Sequence, residues 1–242
     1  MTSGETNQTD GIASQVSPMQ LSALPDPNPL TAGTLALGLQ HLAALDADLA
    51  AILTRLGAPP MWDREPGFPT LVHIILEQQV SLASARAAFD RLRAAANPLT
   101  PEALLSFDDA RLKSIGFSRQ KTAYARGLAQ AVLNGDLNLA ALAGMPDGEV
   151  RKALLKLKGI GPWSADIYLL MALRRPDVWP AGDLALAVAA QRVKRLPACP
   201  SPAELDALGE RWRPWRAVAA RLLWHHYLGG TRDNQTENGR TG

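Results

Sequence analysis

The residue in this chain best suited to chemistry is Asp183, in "WPAGDLALAVAA", where it follows Pro180 and Gly182 and opens an apolar helix. A carboxylate at a helix N-terminus meets unpaired backbone N–H groups and the positive end of the helix dipole, both of which suit a negative charge. Held there, it can oppose positive charge that develops on a substrate. Asp is also among the best helix N-caps, and the residues alone favour that plain capping role.

The second stretch is "LKLKGIGPWSADIYLL", residues 155–170, in which Gly159, Ile160, Gly161 and Pro162 separate one helical segment from the next. Glycine tolerates positive φ and lets the backbone approach another surface closely. The amides of Gly159 and Gly161, ahead of a new helix and flanked by Lys156 and Lys158, form a cradle for a phosphate that ignores base sequence. An ordinary turn, stopped by Gly and restarted by Pro, shows the same pattern. Trp163 follows at once, and Trp224 lies in "RLLWHHY". An indole face attracts a cationic ring by about 0.5–2 kcal/mol, enough for modest selection. Packing in a core is the alternative for each tryptophan, and is the expectation for Trp62, Trp212 and Trp215.

Other chemistries are poorly supplied. A single cysteine, Cys199, excludes an internal disulfide, a four-cysteine zinc site and an all-cysteine iron–sulfur cluster. His41, His73, His225 and His226 show no zinc-binding spacing, so no protein-bound catalytic metal is expected. No apolar run approaches the ~18 residues of a membrane span, and the N-terminus lacks the features of a secretory signal. The expected location is therefore intracellular and cytoplasmic. A net charge of +2 conceals an asymmetry: residues 151–242 carry 15 basic against 8 acidic side chains, and residues 1–150 carry 10 against 15. A basic half on a near-neutral chain suits a polyanion met on one face, although solvated helix surfaces produce a mild excess too.

The elements that must position these residues all read as helices, and no alternating β-branched run appears, so the fold class is all-α. A long stripe runs from Thr31 to Gly57. "FPTLVHIILEQQVSLASARAAFDRLRAAA" reads as two helices broken at Gln78–Ser81, with Ser81 as the second N-cap. Ser106 with Asp109 reads as a capping box that starts a helix stopped by Gly116, and Ser118 starts another that ends at Gly135. Ser201 with Glu204 forms a further capping box, and "RPWRAVAARLLWHHYLGG" closes the fold at Gly229. Residues 1–29 and 229–242 are polar and read as disordered tails around a domain at 30–228.

"LLKLKGIGPWSADIYLL" followed by "VWPAGDLALAVAA" resembles the helix–hairpin–helix (HhH-GPD) DNA glycosylase superfamily, and most closely its 3-methyladenine DNA glycosylase II branch. "FPTLVHIILEQQVSLASA", "LKSIGFSRQKTAYARGLA" and "RWRPWRAVAARLLWHHY" extend the likeness over about residues 65–228, in the family's order. The resemblance implies two helical lobes with the active site in the cleft between them. One lobe would be 68–175 and the other 30–67 plus 176–228, with no β-domain.

The resemblance further implies a monofunctional enzyme of base excision repair that flips alkylated purines such as 3-methyladenine and 7-methylguanine out of double-stranded DNA and releases them. Asp183 falls on the family's catalytic aspartate. Trp163, Trp224 and Tyr168 would form the base pocket. The branch's tyrosine four residues after the first tryptophan is Ile167 here, with Tyr168 one place later. Trp163 also stands where bifunctional relatives carry a Schiff-base lysine, so no strand cleavage is expected. In "EQQVS", Gln79 is the candidate wedge that fills the vacated stack, with Gln78 as alternative or support. Lys158, Gly159, Gly161, Ser164 and Lys121 are candidates for phosphate contacts. No cofactor is implied, apart from a Na⁺ or K⁺ ion on hairpin carbonyls, and a monomer is expected. Uracil or deaminated bases as substrates, and a non-catalytic DNA-binding module, remain alternatives.

Overall fold

A computed structural model describes residues 28–238, with side chains through Gly229, and the described residues contain helices and loops but no strand. The tail expected at 1–29 lies outside the described residues as far as residue 27. The helices are α1 (Ala32–Leu45), α2 (Ala47–Leu56), α3 (Phe68–Glu77), α4 (Leu82–Ala95), α5 (Pro101–Leu105), α6 (Asp109–Ile115), α7 (Arg119–Leu133), α8 (Asp147–Leu155), α9 (Pro162–Ile167), α10 (Leu184–Lys194), α11 (Pro202–Gly209) and α12 (Arg216–Asn238).

Local chemistry starts most of them. Ser81, Ser118 and Ser201 each accept the N3 amide of the helix they precede, and Ser201 completes its capping box with Glu204. Pro162 occupies the first turn of α9, where its missing N–H costs nothing. At Tyr168–Ala172 the chain widens into a π-helical turn, and this carries it from the hairpin towards the segment before Asp183.

Three expectations need correction. The stripe from Thr31 to Gly57 is two helices, because Asp46 ends α1 and its carboxylate accepts the amides of Asp48 and Leu49 to start α2. Ser106 does not open α6. It ends α5, its hydroxyl donating to Ala103 O, and Asp108 caps α6 by accepting from Arg111 N. The last helix does not stop at Gly229 but continues to Asn238. Glycine inside a helix costs only about 1 kcal/mol, and no proline follows to break it.

The helices pack in two sets. α3, α4, α6 and α7 pack on one another, α5 lies on α7, and the α8–α9 hairpin docks on α3. α1, α2, α10 and α12 form the second set, with α11 against α10. One continuous apolar core runs through both sets, including Leu71, Ile75 and Leu128 in the first and Leu42, Leu49 and Leu223 in the second. Trp212 and Trp215 are fully buried in it, as expected.

Candidate active site

A cleft of about 780 Å³ is lined by residues of both helix sets. α3 and α4 contribute one wall, through His73, Glu77 and Phe89; Asp183 and the α12 residue Trp224 lie on another. The α9 face and the π-turn add Trp163, Ile167 and Met171, spaced four residues apart as one side of a continuing helix requires.

Asp183 is the N-cap of α10, with Oδ1 accepting Leu186 N at 2.7 Å. Two indoles from distant stretches of the chain point their N–H groups at the same carboxylate. Trp163 Nε1 donates to Oδ2 at 2.8 Å, and Trp224 Nε1 donates to Oδ1 at 3.1 Å. Among the described residues no basic side chain pairs with it. Capping and an oriented carboxylate on the cleft wall therefore coexist: the cap fixes the carboxylate on α10, and the indoles fix its rotation.

The hairpin lies beside this site. Gly159 has φ +95, and a Cβ there would overlap the Tyr124 ring, so only glycine fits on both counts. A Cβ at Gly161 would meet nothing, which leaves the backbone open on that side. Lys158 is exposed beside it. Gln79 is exposed at the tip of the α3–α4 loop with φ +57, a left-handed conformation uncommon outside glycine.

Four candidates sit differently from expectation. Tyr168 does not line the cleft: it is fully buried, and its hydroxyl accepts Gly67 N at 3.1 Å, while Ile167 holds the cleft position. One residue along a helix turns the side chain by about 100°, which separates the two. Ser164 is buried, and its hydroxyl accepts Gln78 Nε2 at 3.0 Å, so its side chain is withdrawn from any phosphate. Gln78 also donates to Gly159 O at 2.8 Å, which makes it a tether between the α3–α4 loop and the hairpin rather than a wedge. Lys121 donates to Leu76 O at 2.7 Å in the last turn of α3. Burial lowers its pKa, and it acts as a helix C-cap.

The sequence reading missed a polar cluster on the α3 wall. Arg64 grips the buried Glu77 carboxylate with two bonds, at 2.9 and 2.7 Å. His73 stacks on Phe89 at 4.2 Å and lies 3.7 Å from Glu77. Burial holds the His73 imidazole below its ordinary pKa, although Glu77 pulls the other way. Trp62, expected in the core, is half-buried and lines the cleft. Its place in the loop "WDREPG", outside any apolar stripe, was the available signal.

Among the described residues, no group of three or more His, Cys, Asp or Glu could hold a metal ion, and no helix is long and apolar enough to cross a membrane. Residues 72–214 match the HhH-GPD superfamily base excision DNA repair proteins. The chain belongs to that superfamily. It is 29% identical to DNA-3-methyladenine glycosylase 1 of Schizosaccharomyces pombe over 192 residues, covering 76% of this chain and 84% of that protein. It is 32% identical over 124 residues to the putative DNA-3-methyladenine glycosylase YfjP of Bacillus subtilis, spanning 51% of this chain but only 43% of that protein's length. Its fold superposes with a TM-score of 0.74 on the S. pombe 3-methyladenine DNA glycosylase Mag1 in complex with abasic DNA, at 27% identity, covering 78% of this chain and 95% of that one.

Proposed function

We propose that this protein is a DNA glycosylase of base excision repair that hydrolyses the N-glycosidic bond of alkylated purines in double-stranded DNA and leaves an abasic site. One observation carries the reading: a carboxylate oriented by two indole N–H groups, with no cationic partner among the described residues, on the wall of an aromatic cleft beside a helix–hairpin–helix. Relatives named as 3-methyladenine glycosylases support the substrate class.

In this mechanism the damaged base enters the cleft and Gln79 fills the gap it leaves in the stack. The C1′–N bond breaks, its electron pair leaves with the base, and the sugar becomes oxocarbenium-like. Asp183 faces that charge and stabilises it more than the ground state, in which the sugar itself is uncharged. Water adds to C1′ and loses a proton, which completes hydrolysis. The open amide of Gly161 and the exposed Lys158 hold the phosphate backbone, so binding should weaken steeply with salt.

Asp183 needs no help from a bound cation in this scheme. The carbonyls of Leu157 and Gly159 accept one hydrogen bond each, from Ile160 N and Gln78 Nε2, and each keeps a second lone pair that a Na⁺ or K⁺ ion on the hairpin could use. Among the described residues no lysine lines the cleft, which supports release of the base without strand cleavage. The protein acts as a monomer on this reading.

Incubating the protein with duplexes that contain 7-methylguanine, 3-methyladenine, uracil or hypoxanthine, followed by alkaline scission, tests the proposal. Release of the alkylated purines is expected, with no adduct trapped by borohydride. Release of uracil or hypoxanthine alone would move the substrate class. Binding without any release would leave only a DNA-binding module.

A further inference from the structure

We propose that Trp62 is a third aromatic wall of the pocket, stacking on the flipped cationic purine beside Trp163 and Trp224; this rests on the glycosylase reading above. Trp62 lines the same cleft as Asp183, Trp163 and Trp224, and its ring lies 6.3 Å from that of His225. Ile167 offers the cleft an apolar surface but no π-face.

The backbone around Trp62 is held in a way that an idle connector would not require. Trp62 has φ +49, an unfavourable conformation for a bulky side chain, and such strain persists only where the surroundings impose it. On one side, Met61 O accepts from Arg221 Nε at 2.9 Å. Arg221 is fully buried on α12 and also donates to Ala217 O and Leu170 O. Burial pushes its pKa down to about 10, which still leaves it charged at neutral pH.

On the other side, Arg64 N donates to Met171 O at 3.0 Å while its guanidinium grips Glu77. Thr70 Oγ1 donates to Glu65 O at 2.6 Å, and Gly67 N donates to the buried Tyr168 hydroxyl. The strap at 61–67 is therefore tied to α12 before Trp62 and to α3 and the π-turn after it. Both helix sets thus hold the backbone that carries the indole. The buried groups Arg221, Glu77 and Tyr168, which the catalytic scheme leaves unused, acquire a common role as anchors of this wall.

Trp62→Leu keeps apolar bulk and removes the π-face; Trp62→Phe keeps a smaller one. Single-turnover release of 7-methylguanine should fall about 10-fold in Trp62→Leu, as expected for loss of one base–aromatic stack. Trp62→Phe should recover to within about 3-fold of the parent rate, on the same stacking argument. Affinity for a duplex with a tetrahydrofuran abasic analogue, which has no base to stack, should change less than about 2-fold in either variant. Release by Trp62→Leu at the parent rate would overturn the inference. So would an equal loss of abasic-duplex affinity, since a role in shaping the strap alone predicts that result. If the parent protein releases no alkylated base, the glycosylase reading itself fails, and this inference with it.

Discussion

Asp46 and Asp183 are the same local device used to opposite ends. Each caps a helix by accepting a backbone amide of its first turn, and each accepts an indole N–H, from Trp212 for Asp46 and from Trp163 and Trp224 for Asp183. The difference is a cation. Lys194 Nζ lies 2.6 Å from Asp46 Oδ2, and the Asp46 side chain is buried among α1, α2, α10 and the Trp212 turn. Asp183 has no such partner among the described residues and faces the cleft. A carboxylate whose countercharge is supplied by the fold stabilises the fold. One whose countercharge is missing can receive it from a substrate.

Removing each charge should separate the two roles. Asp46→Asn leaves the buried Lys194 ammonium with Asp48 as its one carboxylate partner, at 2.9 Å, and should lower unfolding stability by about 2 kcal/mol in urea denaturation. Asp183→Asn keeps a good N-cap and should cost less than about 1 kcal/mol in the same assay. Equal losses would erase the distinction.

Acid sharpens the Asp46 case. Burial alone would raise its pKa, but Lys194, Trp212 and Leu49 N–H hold the folded value below the ordinary 3.8. The folded state thus binds this proton less readily than the unfolded chain. Its contribution is complete above pH 3.8 and is lost as pH falls through the depressed folded value. The stability gap between the parent and Asp46→Asn should accordingly narrow below that pH.

The indoles make the next comparison. Trp163→Phe or Trp224→Phe removes one donor to Asp183 and should slow base release by about 10-fold, worth roughly 1.4 kcal/mol, with a smaller effect on stability. Trp212→Phe should do the reverse, costing about 1 kcal/mol of stability and leaving the single-turnover rate unchanged. The smallest effect is expected from Gln78→Ala, which unties the α3–α4 loop from Gly159 and Ser164. A loss of about 0.5–1 kcal/mol in DNA affinity, read by titration, would fit a tether.

What the sequence revealed follows from the range of the interactions involved. The caps at Ser81, Ser118 and Ser201 bind amides three residues away, so their residue types and spacing were sufficient. Asp183 was legible because its cap is local and its surroundings match a family motif. The break at Asp46 was not, although its cap on Asp48 N and Leu49 N is just as local, because it falls within one apolar stripe with no Gly or Pro beside it to mark a stop. Ser164 and Lys121 looked like surface polar groups, yet tertiary packing turned them towards Gln78 and the end of α3. Trp62 packs against the edge of the core and also lines the cleft; its place in "WDREPG" hints at this, while the strap that carries it is anchored by the distant Arg221 and Glu77.

The most direct test is single-turnover release of 7-methylguanine by Asp183→Asn beside a measurement of its affinity for the same duplex. Loss of the charge opposite the reacting sugar should slow release by about 10²–10³-fold or more while affinity stays near the parent value. A variant that releases the base at the parent rate would contradict the account, because the open carboxylate would then have no chemical role.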